Sequence, residues 1–589
     1  MASRKFLVLL IKPSHYDDDG YVIQWRRSSI PSNSLAAVRG LVVDCAAQHV
    51  LGPDVEIAVE AYDECNTVIE PKRWAKRLKA AGGGFVGLVG VQSNQYPRAL
   101  DIARQFRAAD IPVVIGGFHV SGCISMLPKL PPDLQAALDL GVTLYAGEAE
   151  SRMDELMRDI DGKRAKPIYN YLSDLPEMSG ASFPLLPRDA VTKVVGHYAS
   201  FDAGRGCPFQ CSFCTIINVQ GRKSRFRTPD DVEAIIRANL KLKINHFFVT
   251  DDNFARNRNW EAILDRLIEL REKEKLKIRL ILQVDTLCHR IPNFIEKAAR
   301  AGCNNVFIGL ENINPESLMG TKKRQNKIWE YREMLLAWRK HHVLTWCGYI
   351  LGFPTDTPES IARDIETIKR ELPIDILEFF CLTPLPGSED HKKLSQAAVP
   401  MDPDMNKYDL EHVVTGHARM SKSEWQNVYR DAWTRYYSDE HVATIMRRGV
   451  ATGLKHDKLS RVMLAFAGSS RIEGVHPLQL GLIRRKVRTQ RRSDLRRENP
   501  LLFYPRRIVE TAYSLGQWYR MASKYRRLMR EAVAAPGALD YKDTALTAMT
   551  GDHAGTSDFI QAYADKLPNT YGAPVKHARE AEAEPASAK

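Results

Sequence analysis

The chain lacks any apolar run long enough to cross a bilayer; no stretch approaches the ~18 residues such a helix needs. Its opening residues are not expected to form a secretory leader either. Arg4 and Lys5 precede apolar residues, but the run from Phe6 to Ile11 stops at Lys12 and reads as a buried first β-strand rather than a secretory leader. Acidic residues are scarce in one place: residues 481–530 hold 15 Lys and Arg against 3 Asp and Glu, which accounts for nearly all of the formal net charge of +13. Elsewhere the charge balances. A general affinity for polyanions is therefore not implied, and one local basic surface is. A disulfide framework is missing too. Seven of the ten cysteines are scattered singly along a long chain without an export signal, so a reducing cytoplasm is expected. What is present is ordinary globular material: 589 residues, 44 % hydrophobic and 26 % charged, enough for several domains and incompatible with disorder of the whole.

Residues 1–160 alternate short apolar runs with helical spacing. Strands are predicted at Phe6–Ile11, Glu56–Val59, Phe85–Val91, Pro112–Ile115 and Thr143–Tyr145, and a helix over Arg98–Ala108. That alternation predicts a parallel sheet covered on both faces. Residues 161–190 carry Pro167, Pro176, Pro184 and Pro187 and read as a linker. From 191 to 400 six further β/α units follow, with strands predicted at Val191–Tyr198, Phe247–Thr250, Leu280–Val284, Asn305–Leu310, Thr345–Leu351 and Ile376–Leu382. Six units in one run predict a full or partial barrel, whose chemistry gathers at the C-terminal strand ends. Residues 401–576 read as a mainly helical domain, with an amphipathic helix that Pro505 opens, and 577–589 as a disordered tail.

The other three cysteines form one cluster, Cys207-Pro-Phe-Gln-Cys211-Ser-Phe-Cys214, just after a predicted strand. Three thiolates this close can chelate a soft metal centre. A structural zinc site uses four protein ligands, and no fourth cysteine lies in the loop; His197 and His246 are conceivable partners without zinc-finger spacing. The trio suits a four-iron four-sulfur cluster with one iron left open. With Phe213 before the last cysteine, the loop resembles the signature of the radical S-adenosylmethionine superfamily. Other predicted strand ends match it as well: Asp251-Asp252-Asn253, Gly309-Leu310-Glu311, Gly348-Tyr349-Ile350-Leu351-Gly352 and Thr383-Pro384-Leu385-Pro386-Gly387.

The resemblance implies an α/β fold with a partial (β/α)6 TIM-like barrel over about 191–400. It implies that Cys207, Cys211 and Cys214 hold the cluster and that S-adenosylmethionine chelates the open iron. Asp251, Asp252 and Asn253 stand where the family often has Gly-Gly-Glu, a departure that leaves their separate roles open. Gln283 and Glu311 would face the ribose and methionine parts, and Gly348, Ile350, Gly352 and the Phe213 backbone the adenine. Read alone, Gly348 and Gly352 are also explained as close-packing glycines, and Asp251 to Asn253 as a turn or cap. The implied chemistry is one-electron cleavage of the sulfonium to a 5′-deoxyadenosyl radical that takes hydrogen from an unactivated carbon.

In the N-terminal part, Ser93, Gln95 and Tyr96 follow the third strand, Gly116 and Gly117 the fourth, and Gly147 and Glu148 the fifth. Strand-end serine and paired glycines let a sheet edge approach a bulky planar ligand. The arrangement resembles the Rossmann-like cobalamin-binding domain that often precedes such a barrel. The D-x-H-x-x-G motif that ligates cobalt in many cobalamin proteins is not matched: Lys12-Pro13-Ser14-His15 leads into an acidic loop, so His15 is an ordinary loop histidine or an atypical ligand. Trp25, Arg26 and Arg27, in the long first loop, are weaker candidates for a cofactor or substrate contact.

The basic segment 484–530, rich in arginine ahead of Trp518 and Tyr519, has three readings. A solvated helical face comes first, peripheral docking to an anionic membrane second, and nucleic acid last, since no recognised RNA-binding module accompanies it. Together these readings predict a cytoplasmic, cobalamin-dependent radical S-adenosylmethionine enzyme that methylates an unactivated carbon of a small-molecule or lipid substrate and takes electrons from an external donor. The alternatives are a radical rearrangement, cyclisation or oxidation without methyl transfer, and a non-enzymatic cluster or cobalamin sensor.

Overall fold

A computed structural model describes residues 4–548. Its strands are β1 (Arg4–Lys12), β2 (Gln24–Ser28), β3 (Val55–Asp63), β4 (Gly84–Leu88), β5 (Val113–Gly116), β6 (Thr143–Ala146) and β7 (Ile168–Asn170) in the first part. All but β2 form one parallel sheet in the order β3-β1-β4-β5-β6-β7. The order reverses between β1 and β4. At such a switch point a crevice opens outside the carboxyl ends of the strands, where ligands of doubly wound sheets bind.

β1 shows why its sequence is a continuous apolar run. Phe6 to Ile11 are all buried, and alternate residues enter different cores. Leu7, Leu9 and Ile11 pack with Ile102 and Phe106 of the helix Tyr96–Arg107, whereas Phe6, Val8 and Leu10 join a core that runs on into the second sheet. A strand buried on both faces needs no polar alternation.

The second sheet contains β8 (Tyr198–Phe201), β11 (His246–Val249), β12 (Arg279–Val284), β13 (Cys303–Glu311), β14 (Leu344–Leu351) and β15 (Ile376–Cys381); the two-stranded pair β9 (Gly204–Arg205) and β10 (Arg225–Phe226) lies between the first two. Its strands run parallel in sequential order, β8-β11-β12-β13-β14-β15, as an open six-stranded sheet wound by helices. The first strand begins later than predicted. Residues Arg188–Val191 form a helical turn, and Gly196 and His197 have φ of 82° and 49°, so two successive left-handed residues break an extended run before Tyr198. The stretch 161–190 also differs from a loose linker: Ile168–Asn170 adds the sixth strand of the first sheet, and the Phe183 carbonyl packs against Gly40.

Beyond 400 the chain is mainly helical, with helices Lys422–Tyr436, Asp439–Ala451, His456–Gly468 and Pro500–Ala534. The last starts at Pro500, capped by Asn499, so Pro505 lies inside its second turn instead of opening it. β16 (Gly481–Arg485) returns to pair antiparallel with β2. That ribbon buries Trp25, whose Nε1 donates to the Gln479 carbonyl at 2.8 Å. Trp25 is thus a core residue, and Arg26 and Arg27 are exposed. The expected tail 577–589 lies outside the described residues.

Removing the ring at the centre of this ribbon should release it. Trp25→Ala is expected to cost about 3–5 kcal/mol, as for other buried aromatic truncations. Hydrogen exchange should then accelerate in 24–28 and 481–485 while β11 to β14 stay protected.

Candidate functional site

The cysteine loop hangs from the β9–β10 pair, which closes its base at Arg205↔Arg225 and Gly204↔Phe226. Gly206 has φ +89° and a Cβ there would lie 2.4 Å from the Lys223 carbonyl, so only glycine makes the turn into Cys207. Three tethers fix the loop against the barrel. The Ser212 amide donates to Thr321 O at 3.0 Å, the Ser212 hydroxyl to Asp390 at 3.0 Å, and the Asn218 amide to Gly387 O at 2.9 Å. All three cysteines are free thiols. Backbone N–H groups face their sulfurs, from Phe209 to Cys207 and from Ile216 and Ile217 to Cys214, and the Gln325 amide lies 3.5 Å from Cys211 Sγ. Enclosure pushes the Cys207 and Cys214 thiols up, Cys214 to about 12. Thiolates at this site therefore call for a bound cationic centre.

The donor set fits an iron–sulfur cube. Among the described residues no three His, Cys, Asp or Glu side chains converge closely enough for a single metal ion, whereas a cube binds its three thiolates at separate corners. Amide N–H groups aimed at sulfur are the contacts that tune such clusters. His197 and His246 are not fourth ligands: His246 begins β11, and its ring contacts Gly196 O and Arg279 at the opposite end of the barrel.

Next to the first cysteine stands the ionic hub of the molecule. Arg205 donates to Glu148 at 2.5 Å, Glu150 at 2.7 Å and Asp202 at 2.6 Å. Arg225 pairs with Glu148 as well, and Arg227 donates to the Asp202 carbonyl at 2.9 Å. Both glutamates belong to the loop that follows β6 of the first sheet, so the hub joins the two sheets. The Arg205 guanidinium and its coulombic field hold Glu150 and Asp202 below the usual carboxylate range despite burial.

The other residues singled out from sequence divide into two groups. Asp252 accepts from the Gly206 amide at 2.8 Å, under the cysteine loop, and burial raises it to about 7. Gln283 lies on β12 and donates to the Asp251 carbonyl. Glu311 ends β13 at φ +63° and pairs with Lys323 at 2.6 Å; Lys323 in turn sits 5.7 Å over the Phe213 ring. Gly348 faces the barrel interior, where a Cβ would meet Phe307 at 3.0 Å and Phe380 at 3.2 Å, and Ile350 follows two residues on. Asp251, Asn253 and Gly352 have close partners within the chain. Asp251 accepts from the Ala203 amide at 2.7 Å and from Asn257 at 2.9 Å. Asn253 is locked to Asp285 at 2.9 Å. Gly352 has φ +99°, and a Cβ would lie 2.0 Å from Trp425.

On the first sheet, Gly116, Gly117, Gly147 and Glu148 border a cavity of about 180 Å3 together with Gly87, Gly90 and Tyr145. It lies at the carboxyl ends of β4, β5 and β6, beside the switch point. A slot of this size suits one arm or base of a larger ligand. Ser93, Gln95 and Tyr96 stand apart from it: Ser93 Oγ meets His119 Nδ1 at 3.0 Å, Gln95 accepts from the Gln92 amide, and the Tyr96 hydroxyl donates to Asp133 O. His119 also contacts Asp133 at 2.8 Å. His15 is buried against Gln479, 3.1 Å away, and burial lowers it to about 4.

Sequence reading missed Lys323, Gln325, Arg205 and Glu378. Lys323 and Gln325 belong to a polar run after β13 whose position beyond a strand end was the available signal. Glu378 had none, because β15 reads as an apolar strand. It is fully buried on the inner face, receives the Trp346 indole N–H at 2.8 Å and lies 3.4 Å from His476 Nδ1. Burial raises its carboxyl to about 8, so it is a neutral acid at pH 7. An acid raised in the folded state contributes stability that is whole below its unfolded value near 4.5 and lost as pH climbs to about 8. Glu378→Gln should therefore match the parent Tm at pH 5 and exceed it at pH 8. Arg205→Met strands three buried carboxylates and is expected to cost about 3–5 kcal/mol, read as a fall in Tm. In Gly352→Ala, overpacking against Trp425 should cost about 1–3 kcal/mol.

Comparison with known proteins agrees with this geometry. Residues 203–368 match the model of the radical SAM superfamily. Bacteriochlorophyllide d C-12(1)-methyltransferase of Chlorobaculum tepidum is 28 % identical over 306 residues, 51 % of this chain and 63 % of its own length. Hopanoid C-2 methylase of Rhodopseudomonas palustris is 26 % identical over 310 residues, 51 % of this chain and 56 % of its own. The matched stretches thus span less than two thirds of these two relatives. Among solved structures, the radical S-adenosylmethionine methyltransferase TsrM of Kitasatospora setae, with tryptophan substrate and a SAM analogue bound, shares the fold at 17 % identity with a TM-score of 0.50, covering 67 % of this chain and 77 % of that one. With the family match lying over the very strands that carry the thiol loop, the chain contains a radical S-adenosylmethionine superfamily domain.

Proposed function

We propose that the protein is a cobalamin-dependent radical S-adenosylmethionine methyltransferase acting on an unactivated carbon of an apolar small molecule or lipid. The observation that carries this reading is the placement of three enclosed free thiols at the carboxyl edge of one open parallel sheet, bolted by Arg205 to the carboxyl edge of a second. Relatives named for methylating bacteriochlorophyllide d and a hopanoid support methyl transfer to a small molecule.

Cys207, Cys211 and Cys214 would hold the cluster. Phe213, Asp252, Gln283, Glu311, Gly348 and Ile350 would bind S-adenosylmethionine, while Asp251, Asn253 and Gly352 shape the edge through their own contacts. Lys323, buried between Glu311 and the cysteine sulfurs, offsets negative charge there. Gly116, Gly117 and Gly147 would admit one arm of the corrinoid, with Glu148 fixed behind them by its arginines. When bound, the cluster and corrinoid supply radical generation and a transferable methyl group, with electrons from an external reductant. The chain's own part is to enclose that space: Phe307, Trp346 and Phe380 line the barrel interior and exclude water.

Peripheral membrane attachment belongs to the same proposal. No helix among the described residues is long and apolar enough to cross a membrane. The helix Pro500–Ala534 nevertheless leaves half of its apolar stripe uncovered. Tyr525, Met529 and Ala532 are buried, but Leu501, Ile508 and Tyr519 are 80 %, 71 % and 71 % exposed. Arg496, Arg497, Arg520, Arg526 and Arg527 are exposed around them. Apolar and aromatic side chains beside arginine suit an anionic lipid surface.

Reconstituted, reduced protein should convert S-adenosylmethionine to 5′-deoxyadenosine and, with substrate, to S-adenosylhomocysteine. Cys211→Ala should abolish both products; full turnover by that variant would refute the assignment. Leu501→Glu combined with Ile508→Glu should lower flotation with phosphatidylglycerol vesicles at least ~tenfold, leaving 5′-deoxyadenosine formation in solution unchanged.

A further inference from the structure

A cavity of about 920 Å3 lies between the helices His456–Gly468 and Pro500–Ala534 and the β2–β16 ribbon. No role described above uses it. Its two ends have different chemistry, and both ends are informative.

The inner end is bordered by His15, Asp409, Glu411 and Tyr429. His15 lies just past the carboxyl end of β1. The neighbouring Leu410 carbonyl accepts from the amide of Cys381, the last residue of β15, at 2.7 Å. This end therefore reaches the carboxyl edges of both sheets, the side on which the thiol loop and the glycine-lined slot also lie. Burial and the adjacent Asp409 push the Glu411 carboxyl up, and the Tyr429 hydroxyl donates to it at 3.3 Å. The outer end is bordered by Tyr513, Leu515 and Tyr519, members of the uncovered stripe. Between them the wall carries an apolar stretch of Ile23, Leu464, Ala465, Val475, Leu480 and Trp518. Three cation–carboxylate pairs lie along the rim, Arg484 with Asp17 at 3.1 Å, Lys486 with Asp19 at 2.7 Å, and Arg507 with Glu510, and the exposed Arg430 and Arg461 border it as well. An apolar stretch of wall of this length selects an extended apolar body.

We propose that this cavity is the substrate's access and binding channel. Its occupant is an amphiphile with a long apolar body, drawn from a lipid surface beneath Tyr513 to Tyr519, whose polar end meets Glu411 and Tyr429. The assignment rests on the membrane-associated enzyme proposed above and specifies its substrate class.

The test uses the full chain without reductant or S-adenosylmethionine, so that it reads binding alone. The probe is hexadecanol carrying a diazirine, cross-linked by light and mapped by mass spectrometry. Labelling is expected in peptides 461–486 and 511–522. Ala465→Trp, which fills the wall, should cut it at least ~tenfold, equivalent to about 1.4 kcal/mol of binding. Ala522→Trp, on the other wall, serves where the first variant does not fold. Unchanged labelling in a folded variant, or labelling confined to 501–509, would overturn the channel. Channel labelling that persists in a protein that fails to float with vesicles would uphold the channel and remove only the membrane reading.

Discussion

The guanidinium of Arg205 is the constraint on which the rest of the site depends. It satisfies Glu148, Glu150 and Asp202 at once, and it stands two residues before the first cysteine of the loop. Buried charges are tolerated only when paired with good geometry, and here pairing is possible only when both sheets are in place. A single side chain thereby fixes the distance between the carboxyl edge of the first sheet and the thiol loop of the second. Arg225 and Arg227 reinforce it from the returning strand of the hairpin.

Packing supports the same geometry from beneath. Alternate residues of β1 enter two cores, one of them continuous with the barrel. The two domains therefore share apolar interior as well as the ionic hub, and relative motion of the two edges would break both. The β2–β16 ribbon adds a third connection from the far end of the chain. A site assembled between two strand edges gains from this rigidity, because radical chemistry depends on holding reacting groups close and excluding competing partners.

The charge pattern of the C-terminal segment changes meaning once it is folded. Much of the arginine and lysine that makes 481–530 basic is used internally, on Asp17, Asp19, Asp404 and Glu498. The remaining exposed arginines flank an apolar stripe whose first half is largely exposed. A stripe with helical spacing reads the same whether it will be covered or not.

Local sequence determined a good deal. The apolar run of β1, the β/α alternation and the spacing of Cys207, Cys211 and Cys214 encode strands, helices and a chelating loop through periodicity and side-chain chemistry within a few residues. The strand-end glycines were legible too, but their reasons were not: Gly348 opens the barrel interior between Phe307 and Phe380, whereas Gly352 makes room for Trp425, more than seventy positions away. Ser93 and Glu148 carried equal weight as strand-end residues, yet one contacts His119 and the other neutralises two arginines. Only the tertiary structure decided the Arg205 hub, the neutral acid Glu378, the β2–β16 ribbon and the uncovered half of the last helix. Each depends on desolvation or on partners distant in sequence, and neither quantity is written in the order of neighbouring residues.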